Sequence, residues 1–589
     1  SCLVGSEMCI RDRANIYFEF STNEKVAMEV AATAAASGLR SFTFMKHVGM
    51  NVASDSFMTT AYSGVNGGMV ILSADDPSLF SSQNEQDTRN YGRLANVPIL
   101  EPSNCQEVKD MVKYAFDLSE QFKLPVIVRT TTRVSHMRGV VEFGEAADNS
   151  SEGETHWKKG FFKKNPAQFV PVPAFAKDMH VALVEKMDEI NKITNESDFN
   201  VESDFSQNKK YGVIASSSAY NYAYDVIRYN NLDIDVLKLG FSYPFPYDKV
   251  ADFVKDYDEV FIVEEVDPII EKDTLVAIGK NNLNTVVHGK LDGTFPVYHE
   301  FNSDIVSNGF NKYLNFIEEN TDDYSDNLLN LQEEIPSRAP VLCAGCPHRA
   351  MYYGVNKALE ELGIPLKDAV FASDIGCYTL GINPPYNAAD YLLSMGSSVG
   401  DGCGFSIATN QKVISFIGDS TFFHSGISPL INAVHNKNNF ILTVLDNRIT
   451  AMTGGQPNPG IPVDGMGDDA PEISIRKLAL ACGCNYVRVI NPLNLDQAVK
   501  TYKEALERDE VCVIIAKAPC TLIKGKTRKP PVNYIDSNCN GCNKCVSELA
   551  CPAISKDSGK IAIDSSMCDG CGVCIQVCKY GALEAGRGE

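Results

Sequence analysis

Eight of the chain's 19 cysteines fall in its last 51 residues, as Cys539-x2-Cys542-x2-Cys545-x5-Cys551-Pro552 and Cys568-x2-Cys571-x2-Cys574-x3-Cys578. Three thiolates at that spacing wrap one face of a cubane iron–sulfur cluster, and the fourth cysteine of each run reaches the other cluster. One [4Fe–4S] ligand set is therefore Cys539, Cys542, Cys545 and Cys578, and the other Cys568, Cys571, Cys574 and Cys551. Zinc is the competing reading, because CxxC pairs suit a tetrahedral ion, but zinc takes four ligands as two pairs and leaves the third cysteine of each run without a role. Five residues precede Cys551 where three are common, and Lys579 stands where proline is common. Both departures bear on loop shape more than on ligation.

A second chemical signature lies upstream. Gly418-Asp419-Ser420 and Asp446-Asn447 each close an apolar run, Val413–Ile417 and Phe440–Leu445, with 25 residues between them. Such runs read as buried parallel strands, and open α/β sheets bind ligands beyond the carboxyl ends of their strands. The Asp419 carboxylate and the Asn447 amide can supply oxygens to a Mg2+ whose octahedron is completed by a diphosphate. Gly418 permits close backbone approach, and a helix expected to begin near Ser425 offers free N–H groups to phosphate.

The elements that must position these groups alternate strand and helix along most of the chain, which predicts parallel sheets covered by helices. Strands are expected at Ile16–Phe20, Ser41–Met45, Met69–Ser73 and Pro125–Arg129, with helices over the Ala-rich Glu24–Ser37 and near Cys105–Phe122. A polar stretch, roughly 144–207, reads as a connection containing some helix. Tyr211–Ala215, Asp235–Lys238 and Glu259–Glu264 repeat the strand pattern in a smaller unit, and the acidic Glu318–Arg338 reads as a solvated linker. Val370–Ala372 and Cys512–Ala516 complete the strands around the Asp419 site. The first thirteen residues, SCLVGSEMCIRDR, have no apolar core of a signal peptide and read as a non-native leader before a truncated N-terminus.

At 589 residues the chain is too long for one core and implies roughly three to five domains. Its 75 acidic against 53 basic residues leave a formal charge of −22, a field that repels nucleic-acid phosphates and anionic lipid. No apolar run approaches a membrane span. Clustered thiols in a large acidic chain point to metal binding in a reducing cytoplasm, not to a secreted disulfide scaffold.

The paired Gly-Asp-Ser and Asp-Asn signatures look like the thiamine diphosphate fingerprint, with Ser420 for its third glycine and Asp446 for its first asparagine. Together with Asn23-Glu24-Lys25, Met45-Lys46-His47-Val48-Gly49, Ser81–Asp87, Cys343-Ala344-Gly345-Cys346-Pro347-His348-Arg349, Asp374-Ile375-Gly376-Cys377-Tyr378 and the cysteine tail, they make residues 15–582 resemble the large (alpha) subunit family of indolepyruvate:ferredoxin oxidoreductases. The resemblance implies an α/β multidomain fold: a pyrimidine-binding domain (14–150), a connection (151–208), a transketolase-C-like domain (209–312), an acidic linker (313–338), a diphosphate-binding domain (339–528) and a 2[4Fe–4S] ferredoxin-like module (529–589). It implies oxidative decarboxylation of aryl 2-oxoacids with coenzyme A, electrons passing to ferredoxin. It implies, too, a smaller beta subunit in a heterotetramer of two alpha and two beta chains.

The same resemblance gives Glu24 the role of promoting the reactive tautomer of the aminopyrimidine ring, where a helix-dipole role is the plain alternative. It places Gly376 and His348 at the cofactor, His47 at the substrate, and Ile449 with Asp419 and Asn447 around Mg2+. Each histidine also has a structural reading, and Arg133 is either a substrate-carboxylate partner or a solvated surface arginine. Cys343, Cys346, Cys377 and Cys520 are expected to hold a third, proximal [4Fe–4S] cluster, against the alternative of four buried, unligated thiols. Pyruvate and 2-oxoglutarate are the rival substrates. A non-oxidative thiamine decarboxylase has no use for the tail, and an inactive electron-transfer scaffold has none for the Asp419–Asn447 pairing.

Overall fold

The computed structural model describes residues 16–144, 159–316 and 340–586 apart from 524, 526 and 558; the expected leader and most of the expected acidic linker lie outside them. The chain divides into two compact units, Asn23–Glu334 and Ser1–Thr22 with Ile335–Glu589.

The Asn23–Glu334 unit holds two five-stranded sheets. Asn23 caps the first helix, α1 (Glu24–Ala36), by accepting the Val26 N–H at 2.9 Å. There follow β1 (Ser41–Lys46), α2 (His47–Ser63), β2 (Met69–Ala74), β3 (Ile99–Leu100), α3 (Cys105–Phe122) and β4 (Val126–Thr130). The first sheet runs β1-β2-β4-β3, all parallel, and closes with an antiparallel strand from far downstream, β8.

The stretch read as a connection contains α4 (Pro173–Asn195), which places Leu183, Met187 and Ile190 in the same core as Met28, Phe57, Ile71 and Ile127. Each such side chain contributes roughly 1.5–3 kcal/mol of hydrophobic burial, so α4 is a covering layer of the first sheet. Polar residues between widely spaced apolar ones hide that role from a short sequence window.

The second sheet runs β10-β9-β6-β7-β5, from β5 (Val201–Glu202), β6 (Tyr211–Ser216), β7 (Ile234–Leu239), then β8 (Phe241–Tyr243, given to the first sheet), β9 (Glu259–Val263) and β10 (Val286–His288). Only β5 is antiparallel.

In the second unit α5 (Pro347–Glu361), β11 (Ala369–Ala372), α6 (Ser397–Ala408), β12 (Lys412–Gly418), β13 (Ile441–Asp446), β14 (Tyr486–Ile490), α7 (Leu495–Leu506) and β15 (Cys512–Lys517) build an all-parallel sheet, β11-β12-β13-β15-β14. Both faces are covered, one by a core around Tyr352, Phe416 and Tyr502, the other by one around Val399, Phe422 and Val444. A sheet buried on both faces needs the near-continuous apolar strands seen here. The tail adds two short antiparallel ribbons, Asn533–Tyr534 with Leu583–Glu584 and Ile554–Asp557 with Lys560–Ile563.

Ile16–Phe20, expected as a strand, pairs with no strand among the described residues. Its polar groups turn inward on the segment instead: the Tyr17 and Ser21 hydroxyls donate to Glu19 at 2.5 and 2.6 Å. Among the described residues no helix is long and apolar enough to cross a membrane.

Candidate functional site

β12 and β13 lie side by side with Gly418 opposite Leu445, so Asp419 and Asp446 stand at neighbouring strand ends. Both are buried. Asp419 accepts the backbone N–H of Ser420 at 2.9 Å and of Arg448 at 3.0 Å, and the Asn458 amide at 3.1 Å. Arg448 reaches it because its own backbone is left-handed, φ 67°. Burial first, and then the Asp446 charge, push the Asp419 carboxyl up to about 7. Asp446 is pushed up as well, chiefly by burial, and its Oδ1 is buried without a hydrogen-bond partner.

The half-exposed Lys517 ammonium lies 4.0 Å from Asp446, and among the described residues no cation pairs with Asp419; two acids sharing a buried corner with one such partner are costly unless a further cation joins them. Beside them the Asn447 side-chain oxygen accepts the Ile449 N–H at 3.2 Å, which fixes the turn that carries two of the three expected Mg2+ ligands. Hard oxygen donors and an orphaned carboxylate oxygen fit Mg2+.

The helix expected near Ser425 begins earlier. Asp419–Thr421 is already helical and runs through a π turn, Phe422–Gly426, into Ile427–His435. An acid at the first helical position is favoured by the helix dipole, so the chain turns directly from strand to helix. N–H groups near Ser425 are therefore inside the helix.

The room left by two glycines is taken by one ring. A Cβ on Gly376 would come within 2.4 Å of the Tyr378 ring, and one on Gly418 within 2.6 Å. The Tyr378 phenol donates to the Ile375 carbonyl at 2.7 Å and shares a 2.9 Å hydrogen bond with Thr421. His348, in the first turn of α5, meets the same ring edge-on at 6.0 Å and is pushed down to about 4 by burial. It is a neutral imidazole near neutral pH. Asp374 ties the end of β11 to the start of α6 through the N–H groups of Gly396, Ile375 and Ser398 at 2.7, 2.8 and 3.1 Å.

In the other unit, Glu24 opens α1 and lies over Gly49 of α2: a Cβ at Gly49 would be 2.7 Å from Glu24 Cγ. His47, fully buried, shares a 3.0 Å hydrogen bond between Nε2 and the Asn84 carbonyl. A carbonyl can only accept, so the proton is on Nε2. Nδ1 is buried and without a hydrogen-bond partner among the described residues. Arg133 is half-exposed and paired with Glu300, the surface reading.

The tail cysteines line two cavities. One has Cys551, Cys568, Cys571 and Cys574 in its wall; the other has Cys539, Cys542, Cys545 and Cys578. Cys346 and Arg349 close a side of the first. Cys343 and Cys346 form a tight turn, the Cys346 N–H donating to the Cys343 carbonyl at 3.2 Å. Cys377 is pushed up by burial and then by Cys520 and Cys343, which places the three thiols in one electrostatic neighbourhood. The Cys520 N–H donates to the Asn447 carbonyl at 2.9 Å, so this cysteine is tied to the Asn447–Ile449 turn. Among the described residues no disulfide forms, and no three His, Cys, Asp or Glu side chains converge on a single-ion site.

Three family descriptions match this chain: a pyruvate flavodoxin/ferredoxin oxidoreductase thiamine-diphosphate-binding domain over residues 6–204, a C-terminal thiamine-pyrophosphate-binding domain over 374–516, and a 4Fe–4S dicluster domain over 531–579. The indolepyruvate oxidoreductase subunit IorA of Methanothermobacter marburgensis is 55% identical over 98% of this chain and 91% of its own length. This chain belongs to the IorA family. The IorA of Pyrococcus horikoshii is 41% identical over 98% and 91% of the two chains. A 2-oxoglutarate synthase subunit KorB from Methanocaldococcus jannaschii is 27% identical over 36% of this chain and 82% of its own.

As an IorA-family chain it is an oxidoreductase subunit with thiamine-diphosphate-binding domains and a 4Fe–4S dicluster domain. Sequence reading of this IorA-family chain missed Asn458, the Tyr378 plug and the role of Gly49. Asn458 lies 39 residues from the carboxylate it serves; its Asn-Pro-Gly setting reads simply as a turn. Two glycines flanking an aromatic two residues from one of them, Gly376 and Tyr378, were the available clue to the plug.

Proposed function

We propose that the chain is the large subunit of an enzyme that oxidatively decarboxylates aryl 2-oxoacids such as indolepyruvate with coenzyme A, giving CO2 and an aryl-acetyl-CoA and passing two electrons through iron–sulfur clusters to ferredoxin in the cytoplasm. The observation that carries this reading is the buried Asp419–Asp446 pair at neighbouring strand ends, two acids with a single lysine beside Asp446, in a unit that also carries both cysteine-lined cavities. The aryl preference comes from relatives matched along nearly the whole chain, which are named for indolepyruvate.

Thiamine diphosphate, when bound, supplies a nucleophilic thiazolium carbon and a sink for the electrons released by decarboxylation. Asp419, Asn447 and Ile449 hold Mg2+ against its diphosphate, and Gly376, Gly418, Ser420 and His348 line its place. The Glu24 carboxyl holds a proton toward the aminopyrimidine ring, with Gly49 leaving room for its stem. His47 offers its unpartnered Nδ1 to the substrate, and the neutral His348 adds no charge beside the diphosphate. Cys343, Cys346, Cys377 and Cys520 hold the proximal cluster, and the tail holds two more. A smaller beta subunit completes a heterotetramer of two copies of each chain.

Anaerobic co-purification with that subunit, followed by viologen reduction, tests the reading. Indolepyruvate and phenylpyruvate should reduce the dye only with coenzyme A present, and the isolated large chain should be inactive. Faster turnover of pyruvate or 2-oxoglutarate, or dye reduction independent of coenzyme A, would overturn it.

A further inference from the structure

Arg349, in the first turn of α5 and only 4% exposed, joins two cysteine-bearing parts of its unit. It donates to the Tyr386 phenol at 2.7 Å, to the Leu549 carbonyl at 3.1 Å, and to the carbonyls of Ala550 and Leu342. Leu549 and Ala550 directly precede Cys551, and Leu342 directly precedes Cys343. One side chain thus grips the loop that carries a tail cysteine and the loop that opens the Cys343–Cys346 turn.

A second contact joins the same parts. Gly345 is left-handed, φ +72°, and a Cβ there would meet Asp569 Cβ at 2.6 Å. The turn therefore lies flat on the segment between Cys568 and Cys571.

A buried guanidinium is ordinarily matched by a carboxylate. Among the described residues Arg349 has none: every hydrogen-bond partner is a carbonyl or a phenol, and its Nε is buried with no partner. The groups sharing its cavity wall that can carry negative charge are the Asp569 carboxylate, which forms no ion pair with Arg349 among the described residues, and the thiols Cys346, Cys551, Cys568, Cys571 and Cys574, which alone can supply several charges. Thiolate-ligated clusters are tuned by net charge and by hydrogen bonds around their sulfurs.

We infer that Arg349 is the shared counter-cation of the cluster held by Cys551, Cys568, Cys571 and Cys574 and of the one held through Cys343 and Cys346, raising the potential of both and fixing the gap an electron crosses between them. The inference rests on the cluster ligation proposed above. It makes Arg349 a positioning residue whose charge, and not only its hydrogen bonds, is used.

The test is an EPR-monitored redox titration of the intact complex, comparing wild type with Arg349→Gln, which keeps donors without charge, and Arg349→Lys, which keeps the charge. Arg349→Gln should shift the one-electron reduction of the Cys551 cluster at least tenfold toward the oxidised form, about 59 mV, and Arg349→Lys less than threefold. Arg349→Met replaces the glutamine variant if that one fails to load iron. Wild-type potentials in an iron-replete neutral variant, or an equal shift in Arg349→Lys, would overturn the assignment. Iron content of the wild type separates this from the ligation reading: about 12 irons per chain accord with three clusters and about 8 with the tail alone. The lower count would overturn the Cys343–Cys346 cluster, and with it the shared role, while the potential shift still decides whether Arg349 serves the tail.

Discussion

At the carboxyl ends of the first two sheets, Asp75, Asp87, Glu101 and Glu264 are buried against two arginines; at the carboxyl end of the third, Asp419 and Asp446 are buried with no guanidinium bonded to either among the described residues, and only the half-exposed Lys517 ammonium stands 4.0 Å from Asp446. Arg89 grips Asp87 at 2.6 Å and Glu264 at 2.7 Å, and Arg129 grips Asp75 at 2.6 Å and Glu101 at 2.8 Å. Burial works against the Asp87 carboxylate, yet the Arg89 and Arg129 charges hold it well below the usual carboxylate range. Glu265, close by but bonded to the Ser218 hydroxyl and the Phe301 N–H, is pushed up by burial, as Asp419 is. Perturbed acids alone thus fail to tell a site from scaffolding. What separates Asp419 from Asp75, Asp87, Glu101 and Glu264 is that, among the described residues, no buried arginine side chain is bonded to it.

The sharpest way to break the comparison is Asp419→Ala, which should abolish binding of thiamine diphosphate and Mg2+ together, read by calorimetry. Loss of one ligand without the other would refute a shared site. Because the variant removes an uncompensated buried acid, unfolding of the cofactor-free chain should show no loss of stability.

Glu24→Gln should bind cofactor normally but lose turnover by about 10²–10⁴-fold, the span of general acid–base contributions. Wild-type rates would leave Glu24 with only its helix-dipole role.

Arg129→Met takes the opposite path from Asp419→Ala. Leaving Asp75 and Glu101 buried without their partner should cost about 3–5 kcal/mol of stability, measured by denaturant unfolding in the absence of cofactor. An unchanged unfolding midpoint would remove the distinction between the two regions.

The smallest effect is expected from Gly49→Ala. Its methyl must push Glu24 or Met45 aside, for about 1–3 kcal/mol, and turnover should fall several-fold with little change in cofactor affinity. A fall in affinity alone would detach Gly49 from Glu24.

Local pattern made much of this legible. Apolar runs ending in Gly418-Asp419 and Asp446-Asn447 are strands β12 and β13 within a residue or so, because a doubly covered parallel strand must be apolar throughout. The Asn23 cap and the Glu24 helix start were written in adjacent residues. Long-range pairings carried no such signal. The three-residue β8 joins a sheet begun two hundred residues earlier, and α4 packs on that sheet through apolar residues spaced among polar ones. Arg349 reads as one more basic residue in a motif until the fold brings Leu549 and Ala550, some 200 residues on, to its guanidinium.

The flat seating of Gly345 on Asp569 bears on how such a molecule can be rebuilt. An electron carrier tethered by a linker can be exchanged for another by moving a gene segment. Here one wall of the carrier's inner chamber belongs to the body, through Cys346 and Arg349. A foreign module grafted after Lys529 would have to match that wall, so body and tail are exchangeable only together.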